Sequence, residues 1–171
     1  MIFVTPDFWS GERCDSVRGA IGRSDLSRAE VFDSGYRVDE TARRTFEADV
    51  DPDVLREVED SIAAVRPRVA EFYATTLVGS EGPAFLRYPA GGFYRVHRDC
   101  LPGGDEEFPR QISVVVFVTD ACEGGVLRIY GPSMRDIQPV AGTLVAFPAT
   151  WLHEVLPVTA GIRDAVVDWF Y

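Results

Sequence analysis

From residue 84 onward the chain is built of short apolar runs: AFLRY, FYRVH, ISVVVFVT, GVLRIY, TLVAF, HEVLPV and AVVDWFY, parted by glycine, proline and polar residues. Each run is long enough for a strand and too short for a helix with a useful buried face. Their β-branched and aromatic residues suit a pleated surface. Seven such runs within residues 84–171 point to an all-β sandwich or barrel. The expected architecture is a jelly roll, the double-stranded β-helix.

The first 83 residues read differently. Ser10 is a natural N-cap for a short helix with Cys14, Val17 and Ile21 on one face and Gly22 at its end. Asp51-Pro52 opens a stronger helix, the aspartate capping and the proline at the first position. Val54, Val58, Ile62, Val65, Val69 and Phe72 then recur at spacings of three and four, which makes an apolar stripe. Pro67 should kink or split that helix. A strand is expected at residues 29–32, whereas residues 33–49 are polar, lack apolar anchors and read as a mobile loop able to act as a lid. The whole reads as one domain over residues 1–171: mainly β, with residues 1–83 supplying helical support and the lid, and residues 84–171 the jelly-roll core. The helices are expected to pack on one sheet. A chain of this size buries roughly 70% of its unfolded surface and needs no disulfide to hold a core.

Charge narrows the partners. Lys and Arg number 17 against 27 Asp and Glu, a net charge of −10. A protein that grips nucleic-acid phosphates needs a basic face, so no nucleic-acid partner is expected, and the acidity serves solubility. The longest apolar run of the core, residues 114–118, falls far short of the ~20 residues that span a bilayer, so no membrane association is expected. The start, MIFVTPDFWSGER, lacks the basic end and apolar stretch of a signal peptide. Cys14, Cys100 and Cys122 are an odd number without close pairing, as suits reduced packing thiols. The chain therefore reads as cytoplasmic. Cys100, beside His97-Arg98-Asp99, is the one candidate for redox sensitivity.

The chain holds two histidines. His97 lies in RYPAGGFYRVHRDC, with Asp99 two places on. On a strand running through residues 93–99 the two side chains share a face; on a helix they would diverge by about 200°. His153 starts another strand. Two imidazoles and one carboxylate form the facial triad that binds non-haem Fe(II) and leaves positions open. Arg163 follows His153 by ten residues, near the start of the last strand, and a guanidinium there can hold a carboxylate bidentately. That pairing suits a co-substrate that chelates iron at one end and carries a carboxylate at the other. 2-Oxoglutarate has that shape.

These pieces resemble the 2-oxoglutarate- and Fe(II)-dependent dioxygenases of the prolyl 4-hydroxylase type, in particular the catalytic domains of hypoxia-sensing prolyl hydroxylases. The likeness runs over residues 88–171, through Tyr88-Pro89-Ala90-Gly91-Gly92, His97-x-Asp99, Gly124-Gly125-Val126-Leu127-Arg128-Ile129-Tyr130, Asp136-Ile137-Gln138-Pro139, Leu152-His153-Glu154-Val155, Arg163 and Trp169. The amino-terminal half fits more loosely, through Cys14-Asp15 and Arg44-Thr45. The resemblance implies iron held by His97, Asp99 and His153, with Arg163 on the distal carboxylate of 2-oxoglutarate and Tyr88 beside it. Tyr94, Arg110 and Trp169 match positions that line the primary-substrate side. O2 is the second co-substrate and ascorbate an optional reductant. The implied reaction is hydroxylation of a C–H bond in a prolyl residue of a peptide or protein. One departure stands out: the family's central-strand tyrosine, a hydroxyl donor to 2-oxoglutarate, is Phe117 here. Ser113, Val115 and Thr119 share its strand face, so Thr119 or Ser113 is the replacement donor. Without one, the lost bond costs about 1.5–3 kcal/mol of co-substrate binding.

Four other readings stay open on the sequence. A small metabolite or free amino acid is an alternative substrate. A zinc hydrolase needs a base beside its water, and Glu154, the only neighbour, would face away from His153 on a strand. A nucleic-acid demethylase shares the triad but sits poorly with the negative charge. A non-catalytic metal-binding jelly roll requires a vestigial triad. Tyr94 and Trp169 also read as core aromatics, and Arg110 and Arg128 as partners of surface acids.

Overall fold

The computed structural model describes residues 1–32, 35–100, 109–120 and 122–171. Strand β1 (Phe3–Thr5) precedes helix α1 (Gly11–Arg23), whose first turn is closed by the Ser10 hydroxyl accepting the Arg13 N–H. Gly22 does not end this helix. The chain stays helical to Arg23, and Ser24 finishes it by donating its hydroxyl to the Ala20 carbonyl. Asp51 caps α2 (Pro52–Ala63), and Pro67 lies in the first turn of α3 (Arg66–Tyr73), so the long stripe is split as expected. Val58, Ile62, Val65 and Val69 are buried, while Phe72 at the end of the stripe is partly exposed.

The polar segment is less free than its composition suggests. After β2 (Asp25–Arg28) come a hairpin of β3 (Val31–Phe32) and β4 (Tyr36–Arg37), then β5 (Arg43–Arg44) and β6 (Phe46–Asp49). β5 and β6 are stitched into larger sheets by backbone hydrogen bonds, which no side-chain pattern announces. The strand expected at residues 29–32 is confined to β3, because Ala29 instead donates its N–H to Thr45. Of the expected lid, residues 33 and 34 lie outside the described residues.

The seven apolar runs become β7 (Ala84–Tyr88), β8 (Phe93–His97), β9 (Ile112–Phe117), β11 (Leu127–Tyr130), β13 (Leu144–Pro148), β14 (Leu152–Val155) and β16 (Arg163–Phe170). Polar β10 (Cys122–Gly124), β12 (Met134–Ile137) and β15 (Val158–Gly161) fill in between. Two antiparallel sheets face each other in a double-stranded β-helix. The larger runs β1-β13-β9-β16-β7-β6-β2 and the smaller β12-β11-β14-β8-β5. β9 shows why ISVVVFV is a continuous apolar run. Ile112, Val114 and Val116 face the helices with Val58, Ile62 and Ile21, while Val115 and Phe117 face the inter-sheet core with Leu127, Ile129 and Phe147. A strand covered on both sides has no polar face to alternate with. β16 sits in the middle of the larger sheet, between β9 and β7. Among the described residues no helix is long and apolar enough to cross a membrane.

The helix-facing side of β16 carries charge as well. Asp164 is buried and receives a bidentate bond from Arg87 across the strand pair, at 2.8 and 2.7 Å. Asp168 is equally buried, and its Oδ1 accepts the N–H groups of Gly82 and Trp169. Burial outweighs those bonds and pushes its carboxyl from the ordinary 3.8 up to about 6. Between those values the native state keeps a proton that the unfolded chain has released. Stability therefore falls as the pH rises through that window, and the deficit persists above it. Asp168→Asn keeps the acceptor oxygen and removes the charge. Its stability relative to the unsubstituted protein should rise by up to ~3 kcal/mol between about pH 4 and pH 7 in urea unfolding; an equal offset at both pH values would contradict the assignment.

Candidate active site

The geometry starts from a strand register. β14 pairs antiparallel with β8 so that His153 lies directly opposite His97, with ring centroids 4.2 Å apart. Asp99 reaches them by a different route from the one expected. The strand stops at His97, and the chain bends so that the N–H groups of Asp99 and Cys100 both donate to the Ala149 carbonyl, at 3.0 and 3.1 Å. This bend, not strand alternation, brings the carboxylate round. Its oxygens then lie 3.5 Å from His97 Nε2 and 3.4 Å from His153 Nε2. The three candidate ligand atoms fall within 4.8 Å of one another.

Both imidazoles are oriented by backbone carbonyls. His97 Nδ1 lies 2.7 Å from the Arg95 carbonyl and His153 Nδ1 3.1 Å from the Trp151 carbonyl. A carbonyl can only accept, so each Nδ1 carries the proton and each Nε2 lone pair faces the shared space. Burial, reinforced by His153, pushes His97 below the ordinary imidazole value. Burial alone would raise the Asp99 carboxyl, but the two imidazoles beside it, His153 above all, hold it well below the usual carboxylate range. Neutral imidazole and ionised carboxylate are the forms a divalent cation needs.

A β-bulge completes the arrangement. Val155 pairs with Tyr94 and His153 with His97, so Arg95 and Val96 together oppose Glu154 alone. In a regular strand Tyr94 and His97, three apart, would face opposite ways; the extra residue puts them on one face. Their rings stack, with centroids 3.5 Å apart and planes 18° from parallel. Arg43, opposite Tyr94 on β5, covers the far side of the tyrosine ring at 4.7 Å. Phe147 packs edge-on against His153 at 4.8 Å.

Ser113 was expected as a substitute donor beside Phe117. Its hydroxyl instead donates to Asp99 Oδ2 at 2.5 Å, so it serves the carboxylate. Its signal in the sequence was faint: the one hydroxyl in an otherwise apolar strand. Thr119 is buried just beyond the end of β9.

Arg163 is the first residue of β16, opposite Tyr88, and only 1% exposed. The rings of Tyr88 and Phe117 flank its guanidinium at 4.8 and 5.3 Å, and its Nε has no hydrogen-bond partner. No carboxylate pairs with it among the described residues. A buried cation without a counter-ion is costly, and a small anion entering beside it would relieve that cost.

On another wall Arg110 lies 3.8 Å over the Trp169 ring and is held by both oxygens of Glu81 at 2.6 Å. Glu154 accepts from the Tyr130 hydroxyl at 2.5 Å and stands opposite Arg128 on β11, away from His153. The base that a zinc hydrolase would need is thus turned outward. Arg128 is engaged bidentately by Asp136 on the surface. Cys14 is buried, and Cys100 and Cys122 are half-buried; none of the three is in a disulfide.

Residues 83–171 match the family model described as the 2OG-Fe(II) oxygenase superfamily. A PKHD-type hydroxylase of Burkholderia ambifaria is 30% identical over 99% of this chain and 78% of its own length. One from Acidovorax ebreus is 36% identical over 51% of this chain, which spans 41% of that relative's length. Among solved structures, a Pseudomonas putida prolyl-4-hydroxylase superposes with a TM-score of 0.80 at 24% identity, covering 99% of this chain and 91% of that one. A Trichoplax adhaerens prolyl hydroxylase, in complex with a hypoxia inducible factor oxygen degradation domain peptide fragment, gives 0.81 at 18% identity and covers 99% and 83%. These likenesses are of fold.

The Ser113–Asp99 bond leads to a measurable expectation. Ser113→Ala should weaken Fe(II) or Mn(II) binding by about 10–100-fold, the usual effect of losing a partner behind a metal ligand. Ser113→Thr should restore most of it. Calorimetric metal titration of both variants reads this directly; unchanged affinity in the alanine variant would leave Ser113 a packing residue.

Proposed function

The chain belongs to the 2OG-Fe(II) oxygenase superfamily, and from that premise we propose that it hydroxylates a prolyl residue within a peptide or protein. The donor set fits the cofactor: two free Nε2 atoms and a carboxylate converge, as non-haem Fe(II) requires, and a buried unpaired cation awaits a dicarboxylate. In this reading His97, Asp99 and His153 hold the iron. Arg163 pairs with the distal carboxylate of 2-oxoglutarate, Tyr88 lies beside it and Thr119 supplies the hydroxyl that Phe117 lacks. When bound, iron and 2-oxoglutarate supply the chemistry: one oxygen atom of O2 goes to the C–H bond as hydroxyl, the other to succinate, and CO2 leaves.

The chain's own residues orient and shield. Ser113 fixes the carboxylate, and the Arg95 and Trp151 carbonyls keep the imidazoles aimed. The Tyr94 ring, stacked on His97 and held by Arg43, would shield a metal at His97 from water on that side. Tyr94, Arg110 and Trp169 line the primary-substrate side. With Arg110 already neutralised by Glu81, the cation–aromatic pair offers a flat, low-charge wall. The observation that carries the reading is the union of the triad with buried Arg163. The peptidyl choice draws on the peptide held by the Trichoplax adhaerens neighbour.

The experiment is turnover with Fe(II), 2-oxoglutarate and O2, offering proline-containing peptides beside free L-proline. Succinate and a peptide heavier by one oxygen should appear together. Hydroxylation of the free amino acid or of another metabolite alone would remove the peptidyl assignment and leave the reaction class standing. His153→Ala should abolish turnover without loss of folding. Arg163→Ala should raise the apparent KM for 2-oxoglutarate ~100-fold, the equivalent of a ~3 kcal/mol charge-assisted pair.

A further inference from the structure

Arg163 touches bare backbone on one side. β10 pairs with β15 through a bulge between Glu123 and Gly124, and both glycines that follow have left-handed φ values, +74° at Gly124 and +64° at Gly125. A β-carbon on Gly125 would lie 2.8 Å from Arg163 Cδ, 3.2 Å from Val158 Cγ2 and 3.6 Å from Arg163 Cβ. The close approach is to the aliphatic stem of the arginine, not to its mobile head. Tyr88 and Phe117, both essentially fully buried, flank the guanidinium. The stem thus runs over a floor with no side chain, and the head beyond it lies among packed rings with little room to shift.

We propose that Gly125 is a positioning residue that sets the depth of the Arg163 guanidinium, and thereby the length of dicarboxylate the site accepts. This rests on the reading of Arg163 as the 2-oxoglutarate carboxylate partner. A methyl group at Gly125 must push Arg163 Cδ out to ordinary contact, 3.4 Å or more from its present 2.8 Å. The head then moves relative to the metal ligands, which Gly125 does not touch. A shift of this size is enough to spoil a bidentate pair.

The test uses the Mn(II)-loaded protein and no turnover: 2-oxoglutarate, its four-carbon homologue oxaloacetate and its six-carbon homologue 2-oxoadipate are titrated calorimetrically. The unsubstituted protein should prefer 2-oxoglutarate. Gly125→Ala should lose at least ~10-fold in 2-oxoglutarate affinity and compress or shift the preference among the three acids, with Mn(II) affinity unchanged. Equal weakening for all three acids, or none, overturns the proposal. No 2-oxoglutarate binding by the unsubstituted protein overturns the underlying reading instead. Backbone strain at +64° is handled by a double-mutant cycle in urea unfolding. It is common to Gly125→Ala in the native and Arg163→Ala backgrounds, so only the contact with the stem survives in the difference. Gly125→Ala should destabilise the native background more than the Arg163→Ala background. A cycle with no coupling, or failure of both proteins to fold, assigns Gly125 to its turn alone and overturns the inference.

Discussion

The pairing of β14 with β8 is the contact on which the site depends, and it is held from behind. β14 is also paired with β11, where Ile129 lies opposite His153 and Leu127 opposite Val155, all of them buried. A slip of one residue would turn Ile129 and Leu127 toward solvent, at about 1.5–3 kcal/mol for each large apolar side chain. The histidines are therefore kept in place by neighbours that have no chemistry of their own. Asp99 depends on the same frame, since Ala149, the acceptor that bends its backbone, lies between β13 and β14.

The larger sheet does a second job by being covered on both faces. Its odd-numbered β16 positions, Arg163 and Ala165 among them, face the inter-sheet space, and its even-numbered ones face the helices. A guanidinium can be sunk at Arg163 only because flanking rings replace some of the water it gives up. On the opposite face, Arg87 and Asp164 neutralise each other as a bidentate pair. Two cations on neighbouring strands thus differ: half-buried Arg87 is paired with a carboxylate, and buried Arg163 has none beside it among the described residues.

Much of this was legible in the residues. The apolar runs of residues 84–171 each became a strand because buried strands need β-branched and aromatic side chains. The capping serine and aspartate of α1 and α2 acted as their chemistry requires. The triad and Arg163 were readable because few residue types can perform those tasks. What escaped notice lies in backbone hydrogen bonding. β5 and β6 are short strands held by backbone pairing, β5 at the outer edge of the smaller sheet and β6 beside β7, and β10, β12 and β15 are likewise short. The bulge at Arg95–Val96 adds one residue without altering composition, yet it decides that Tyr94 shares a face with His97. Ser113 and Phe117 share a strand face, but the bend at Asp99, which spacing cannot reveal, draws the serine to the carboxylate.

The central place of β16 has a consequence for how such a chain is made. Its neighbours β7 and β9 are synthesised long before it, and each then presents an open row of backbone donors and acceptors on the side β16 will occupy. Until residues 163–170 have left the ribosome the larger sheet is two separate ribbons with a gap between them. The facing edges of β7 and β9 therefore stay open while the residues between them and β16 are made, at ~5–20 residues per second. Closure brings together partners about fifty residues and more apart in the chain, which is slow relative to local folding. The larger sheet in this sense closes late along the chain: the strand that carries Arg163 is also the one that joins its two halves.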